Sequence, residues 1–302
     1  MNKKILFPFI ALCLIWGSTW SFIKISLTDT GMTPSFGVGS RFFLSGILFL
    51  LFCKYKKLKI PFDTNAIKLY LSFGLLNFSL SYYYSYWAII NIPESSISAI
   101  LWASFPLFTS IMAHYMIQDD ENEKFTKKKF YSLLIGLTGV SIICFDQGIN
   151  LQSESLSSSL ILILVIIIAA FPSVQYKKHN THVGPFQMNA ICQILCGIVM
   201  LSLSFLQGDN YSNIIWIDDM ERWYESLLFA TFYLVVFGGF ISWGIYFWLY
   251  EHLNVTQVTY VAIFPPIVAI VIGFLFFNED LSELEYLGTF LILSSSILIY
   301  RK

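Results

Sequence analysis

Asn77, Ser81, Tyr84, Ser85 and Ala88 recur at spacings of three and four, which sets them on one face of a helix. Ser95, Ser98, Trp102 and Thr109 follow a similar rule. Ser242, Tyr246 and Tyr250 recur every four residues beside Trp243 and Trp248, and Thr256, Thr259 and Tyr260 precede Pro265 and Pro266. Hydroxyls, an amide and aromatic faces in such stripes do not make a nucleophile or a metal cage. They suit a small amphipathic solute, with π faces taking its apolar part or an ammonium. Taken singly, each Ser or Thr is explained by close helix packing and each Tyr or Trp by the interfacial belt. Taken together, the stripes occupy the third, fourth, eighth and ninth apolar segments, and the set predicts a cavity.

Arg41 is the one charge well inside an apolar segment, seven residues from Pro34. Burying it in lipid costs at least about 2.5–3.5 kcal/mol, so it needs partners. Its primary reading is structural, locking its helix to its neighbours; a substrate contact is the runner-up. Lys24 stands at the end of the first segment and reads as an interfacial anchor. Pro106, Pro172, Pro265 and Pro266 fall at membrane depth, where each removes a backbone hydrogen bond. Freed carbonyls are tolerated there only against protein or a wet cavity, so these prolines are candidate hinges. No carboxylate falls at the expected midplane, and His114 is the only titratable candidate in the pathway. Facilitated diffusion or exchange is therefore expected over a carboxylate-gated proton antiport.

The elements that must position these residues follow from composition. The 302 residues are 56% hydrophobic and 12% charged, against roughly 25% charged in a soluble domain. Uncharged intervals of 25, 24, 22 and 25 residues follow Lys68, Glu94, Glu154 and Glu225. Each is long enough for one helical crossing of about 20 residues. Apolar runs give ten spans: 5–27, 34–53, 66–90, 95–117, 130–145, 157–176, 185–206, 224–250, 255–277 and 284–300. Lys3 and Lys4 before the first run mimic a signal peptide, but no small-residue cleavage pattern closes it, so it reads as an uncleaved helix. With the N-terminus inside, 15 of the 18 basic residues fall on the cytoplasmic side, so both termini are expected there. The five cysteines lie in or beside apolar stretches and read as small hydrophobes. No cofactor, metal or nucleic-acid partner is implied; the lipid bilayer and a small-molecule substrate are.

Internal repetition is the second organising feature. Pro106 precedes Asp119, and Pro266 precedes Glu279, by 13 residues, an offset of 160 that also pairs Tyr86-Trp87 with Tyr246-Phe247. Pro34 and Gly46 fall on Pro185 and Gly197 at an offset of 151. Two units of five helices are expected, residues 5–146 and 157–300. An odd number per unit turns the second upside down relative to the first, the architecture of secondary transporters.

The residues carrying these features resemble the drug/metabolite transporter superfamily and, within it, the EamA-type ten-helix proteins. Trp16-Gly17-Ser18 and Lys24 are similar to that family's opening motif, Pro34 and Arg41 to its Pro and Arg pair, and Pro265-Pro266 through Glu279 and Gly288 to the ending of its ninth helix. Departures are Gln118-Asp119 in place of Gly-Glu, Phe171-Pro172 in the sixth helix, and a long acidic loop over 207–222. The resemblance implies an all-α membrane protein of ten helices as two inverted five-helix repeats, a multi-pass protein of the inner (cytoplasmic) membrane. It also implies a carrier of small metabolites, amino acids or related solutes, with export favoured. It adds Trp16 and Ser18 to the expected substrate-binding set of Asn77, Ser81, Tyr84, Ser98, Trp102, Trp243, Tyr246, Thr259 and Tyr260. The alternatives are a membrane-embedded enzyme, for which His114, His179, His182 and His252 are too scattered to form a centre, and a scaffold or receptor without transport. Oligomeric state is left open.

Overall fold

Apolar helices of crossing length need starts that satisfy their first N–H groups. Thr33 Oγ1 accepts from the Phe36 N–H at 3.3 Å, with Pro34 in the first turn. Asp63 accepts from the N–H groups of Asn65 and Ala66 at 3.1 and 3.3 Å. At the other end of a helix, Asn278 takes the left-handed conformation at φ 52°, the stop expected of Gly or Asn.

In the computed structural model, residues 3–29, 31–92, 95–117, 126–146, 154–179, 183–211, 214, 227–253, 258 and 260–300 are described. They contain helices and no strand. Helix α1 (Lys3–Lys24) continues as a π turn (Ile25–Asp29), followed by α2 (Pro34–Tyr55). The third run is compound: α3 (Thr64–Leu71), a π segment (Ser72–Ser81) and α4 (Tyr82–Asn91). Next come α5 (Ser95–Trp102), α6 (Phe105–Met116), α7 (Lys127–Asp146), α8 (Glu154–His179) and α9 (Pro185–Gln207). A second compound run joins α10 (Leu227–Val235), a π segment (Val236–Ile241) and α11 (Ser242–His252). A 3-10 turn (Tyr260–Ile263), α12 (Pro265–Phe277) and α13 (Glu283–Tyr300) complete the chain. Six helical runs among the described residues are long and apolar enough to cross a membrane, and 265–276 forms a shorter apolar helix.

The sequence offset of 160 reappears as geometry. It carries the turn at Ala103-Ser104, between α5 and α6, onto Ile263-Phe264, where the 3-10 turn ends and α12 is about to begin. It also overlays the two π segments. A π turn holds one residue more than an α turn, and such bulges are frequent at functional sites. Pro172, by contrast, does not interrupt its helix: α8 stays helical from Glu154 to His179, since one lost N–H leaves the rest of a 26-residue ladder in place.

Two pairings hold the bundle. Helix α2 packs along α9, and α7 along α13. In the second pair Gly139 and Gly288 meet face to face: a Cβ on Gly139 would lie 2.6 Å from the Gly288 carbonyl oxygen, and one on Gly288 would lie 2.8 Å from the Gly139 oxygen. Small residues allow this approach, and dispersion holds it where lipid offers no hydrophobic drive. Helices α1, α5, α8 and α12 and the two compound runs enclose the centre, where most of the buried aromatic side chains collect.

Candidate functional site

A cavity of about 90 Å³ lies at this centre. Helix α1 supplies Trp16, Thr19, Trp20 and Ile23, and the third run supplies Asn77, Tyr82 and Ser85. Ala99, Trp102 and Phe105 come from α5 and the break beyond it, Trp243 and Tyr246 from α11, and Ala262 and Pro265 from the break before α12. Both helix breaks therefore open onto one space. Trp16 packs on Tyr246 and Trp243 at ring separations of 5.1 and 5.5 Å. Trp102 Nε1 donates to Ser85 Oγ at 3.2 Å, and the Tyr246 and Tyr250 hydroxyls lie 3.0 Å apart.

Three polar atoms of this lining are buried without a protein partner: Trp16 Nε1 and Trp243 Nε1, both donors, and Asn77 Oδ1, an acceptor. The Asn77 amide is oriented by its Nδ2, which donates to the Ala169 carbonyl at 3.5 Å. Unsatisfied buried groups are costly, about 1–3 kcal/mol each. An apolar, aromatic chamber with two free donors and one free acceptor suits a ligand carrying groups of both kinds.

Of the residues expected to bind substrate, Trp16, Asn77, Trp102, Trp243 and Tyr246 line the cavity, and so does Pro265. Others face elsewhere. Ser81 Oγ donates to Leu76 O at 2.8 Å and Val165 O at 3.1 Å, against α8. Its displacement follows from the π segment: a five-residue step, seen also in Ser79 Oγ to Gly74 O at 2.9 Å, rotates the face that a 3.6-residue period assigns. Tyr82 takes the expected place. Ser18 pairs with the Tyr233 hydroxyl at 2.5 Å, Tyr84 packs on Tyr83 and Trp87, and Ser98 is buried away from the cavity. Thr259 and the Tyr260 side chain lie outside the described residues, as do Asp119 and Thr256. Sequence reading missed Thr19, Trp20 and Ile23, although with Trp16 they keep the spacing of one helix face.

Arg41 is 1% exposed and does not touch the cavity. Its Nη1 donates to the Tyr86 hydroxyl at 3.1 Å and its Nη2 to the Gly238 carbonyl, in the second π segment, at 2.8 Å. The guanidinium also sits over the rings of Phe42 and Tyr82, 4.9 and 5.2 Å from their centroids. Among the described residues no carboxylate stands within ion-pair reach of it.

Lys24, at the end of α1, is paired within the protein. Its Nζ lies 3.0 Å from Glu279 Oε1, and that carboxylate also accepts from the start of α5. Ser95 donates to Oε1 through N and Oγ at 2.9 and 2.8 Å, and Ser96 to Oε2 at 3.3 and 3.0 Å. Burial pushes the Glu279 carboxyl up, but the Ser95 N–H and the Lys24 ammonium outweigh it, so the group titrates below its ordinary range. Among the described residues no group of three or more His, Cys, Asp or Glu side chains is placed to hold a metal ion.

Long apolar helices enclosing a central aromatic cavity define a multi-pass membrane protein of the transporter class. The sequence profile of the EamA-like transporter family matches residues 3–145 and again 156–301, and the chain belongs to that family. It is similar to the uncharacterized transporter YoaV of Bacillus subtilis, 25% identical over 96% of this chain and 94% of the relative. It is also similar to the uncharacterized inner membrane transporter YedA of Escherichia coli K12, 28% identical over 96% of this chain and 88% of that one. A crystal structure superposes on 99% of this chain and 98% of its own with a TM-score of 0.69 at 12% identity, a likeness of fold alone.

Proposed function

We propose that this transporter moves small zwitterionic metabolites, amino acids or close relatives, across the cytoplasmic membrane by alternating access, with export as the favoured direction. The observation that carries the reading is the set of three free atoms in the central cavity. Trp16 Nε1 and Trp243 Nε1 lack acceptors and Asn77 Oδ1 lacks a donor, which a carboxylate and an ammonium on one molecule would supply. The surrounding rings of Trp102, Trp243 and Tyr246 suit an apolar side chain or the face of the ammonium. The accompanying topology is ten crossings with both termini cytoplasmic, residues 5–146 and 157–300 forming two inverted units. Pro106, Pro265 and Pro266 at the cavity breaks serve as hinges, and Pro172 as a bend within α8.

Counterflow of labelled amino acids, their decarboxylated amines and their deaminated acids into proteoliposomes tests this, with empty liposomes as the control. Saturable exchange of the amino acids over both truncated sets is expected. Equal exchange of the amines or acids, or no exchange of amino acids by folded protein, overturns it.

A further inference from the structure

Three helices that wall the cavity share a second meeting point. From Trp16 on the cavity, α1 reaches Lys24 about 12 Å further along its axis. From Trp102, α5 runs back to Ser95 over about 10 Å. From Pro265, α12 runs out to Glu279 just beyond its end. Ile23, which touches the cavity, is the residue next to Lys24. At this point one buried carboxylate holds all three ends, through the Lys24 ammonium and through both N–H groups and both hydroxyls of Ser95 and Ser96. Gly273 makes the room: a methyl there would overlap the Glu279 carboxylate.

We propose that Glu279 is a latch that closes the cavity toward its own face of the membrane, and that solute crosses this side only when the carboxylate leaves Ser95 and Ser96. The proposal rests on the cavity being the solute site. Lys24 supplies charge, but the seat of the latch is the N-terminus of α5, where a carboxylate meets oriented donors. Replacing the acid by its amide removes the charge and one of the two accepting oxygens. Each charge-assisted bond so weakened is enough to shift a closed-to-open equilibrium by roughly tenfold. Exchanging the partners, Lys24→Glu with Glu279→Lys, keeps an ion pair yet puts a cation on the helix N-terminus, so it does not restore the latch.

The test reads access, independently of any transported solute. A Thr19→Cys reporter in the cavity is labelled with a membrane-impermeant thiol reagent in sealed vesicles of both orientations, the parent chain giving the background. Glu279→Gln is expected to raise labelling from the Glu279 face about tenfold and to leave the other face unchanged or lowered. Gly273→Ala, which displaces the carboxylate without changing charge, is expected to act in the same direction, and the exchanged pair to stay as open as Glu279→Gln. Unchanged labelling in folded Glu279→Gln and Gly273→Ala, an equal rise from both faces, or full closure by the exchanged pair overturns the latch. Failure of the amino-acid panel with a one-sided rise in labelling would overturn the substrate reading and leave the latch standing.

Discussion

Arg41 Nη2 donates to the Gly238 carbonyl oxygen across 2.8 Å, tying α2, in the first stretch that matches the family, to the π segment in the second. A π turn frees carbonyls from the i−4 ladder, and a guanidinium with no carboxylate in reach among the described residues is well matched to them. The other arm of the fork holds the Tyr86 hydroxyl, and the flat of the group lies over Tyr82, itself a wall of the cavity.

Arg41→Met therefore strands two buried acceptors and is expected to destabilise the protein by about 1–3 kcal/mol. It would appear as a lowered thermal midpoint in detergent. Arg41→Lys is expected to fall close to Arg41→Met, because an ammonium cannot span both partners while stacking on a ring. A lysine variant as stable as the parent would show that charge alone suffices there.

Trp16→Phe keeps an aromatic ring against Tyr246 and removes only the free N–H. The expected outcome is an unchanged thermal midpoint with the half-saturating concentration of the transported amino acid raised about 5- to 30-fold, the effect of one hydrogen bond to a charged group. Asn77→Leu is expected to do the same to the ammonium end. Affinities that stay put in both variants would place the solute elsewhere.

Much of this site is legible in the sequence, and the failures have physical causes. Trp102, Trp243 and Tyr246 sit where polar and aromatic stripes on helices of regular pitch put them. Ser81 and Tyr82 exchange places because the sequence carries no mark of the π segment Ser72–Ser81. Thr19, Trp20 and Ile23 share a face with Trp16, but a helix apolar on every side hides which face looks inward. Lys24 and Glu279 are 255 residues apart; reading charge by side puts both on one side of the membrane, while only the fold brings α5 between them. The packing glycine Gly288 belongs to the motif that resembles the family, whereas nothing in the sequence distinguishes Gly139, its counterpart across the α7 and α13 contact.

That contact makes a prediction about assembly. Gly139→Val puts its Cβ within 2.6 Å of a backbone oxygen on α13, which neither helix can move aside without losing contacts along its length. A loss of about 1–3 kcal/mol is expected, read as a lower thermal midpoint. Gly244→Ala is the control, since a Cβ there meets only Phe49 and Phe186 at 3.7–4.0 Å and is expected to cost little. Equal behaviour of the two variants would mean that α7 and α13 do not pack closely in the membrane.

Glu279 carries a prediction in pH. In the closed arrangement burial opposes ionisation, but the Ser95 N–H and Lys24 prevail and hold the group below its ordinary value of 4.5. Once released to water it returns toward that value. A group whose pKa is lower in the closed state stabilises that state fully above pH 4.5, and the contribution is lost as pH falls through the lowered value. Lys24 on α1 is a charged group that faces this carboxylate, and the neighbouring Asp280 is exposed. Acidifying the Glu279 face below the carboxylate range is thus expected to raise labelling of the Thr19→Cys reporter from that face, while the Glu279→Gln background, already open, shows no such rise. A pH response of the same size in both backgrounds would assign the titration to another group and remove Glu279 from control of the gate.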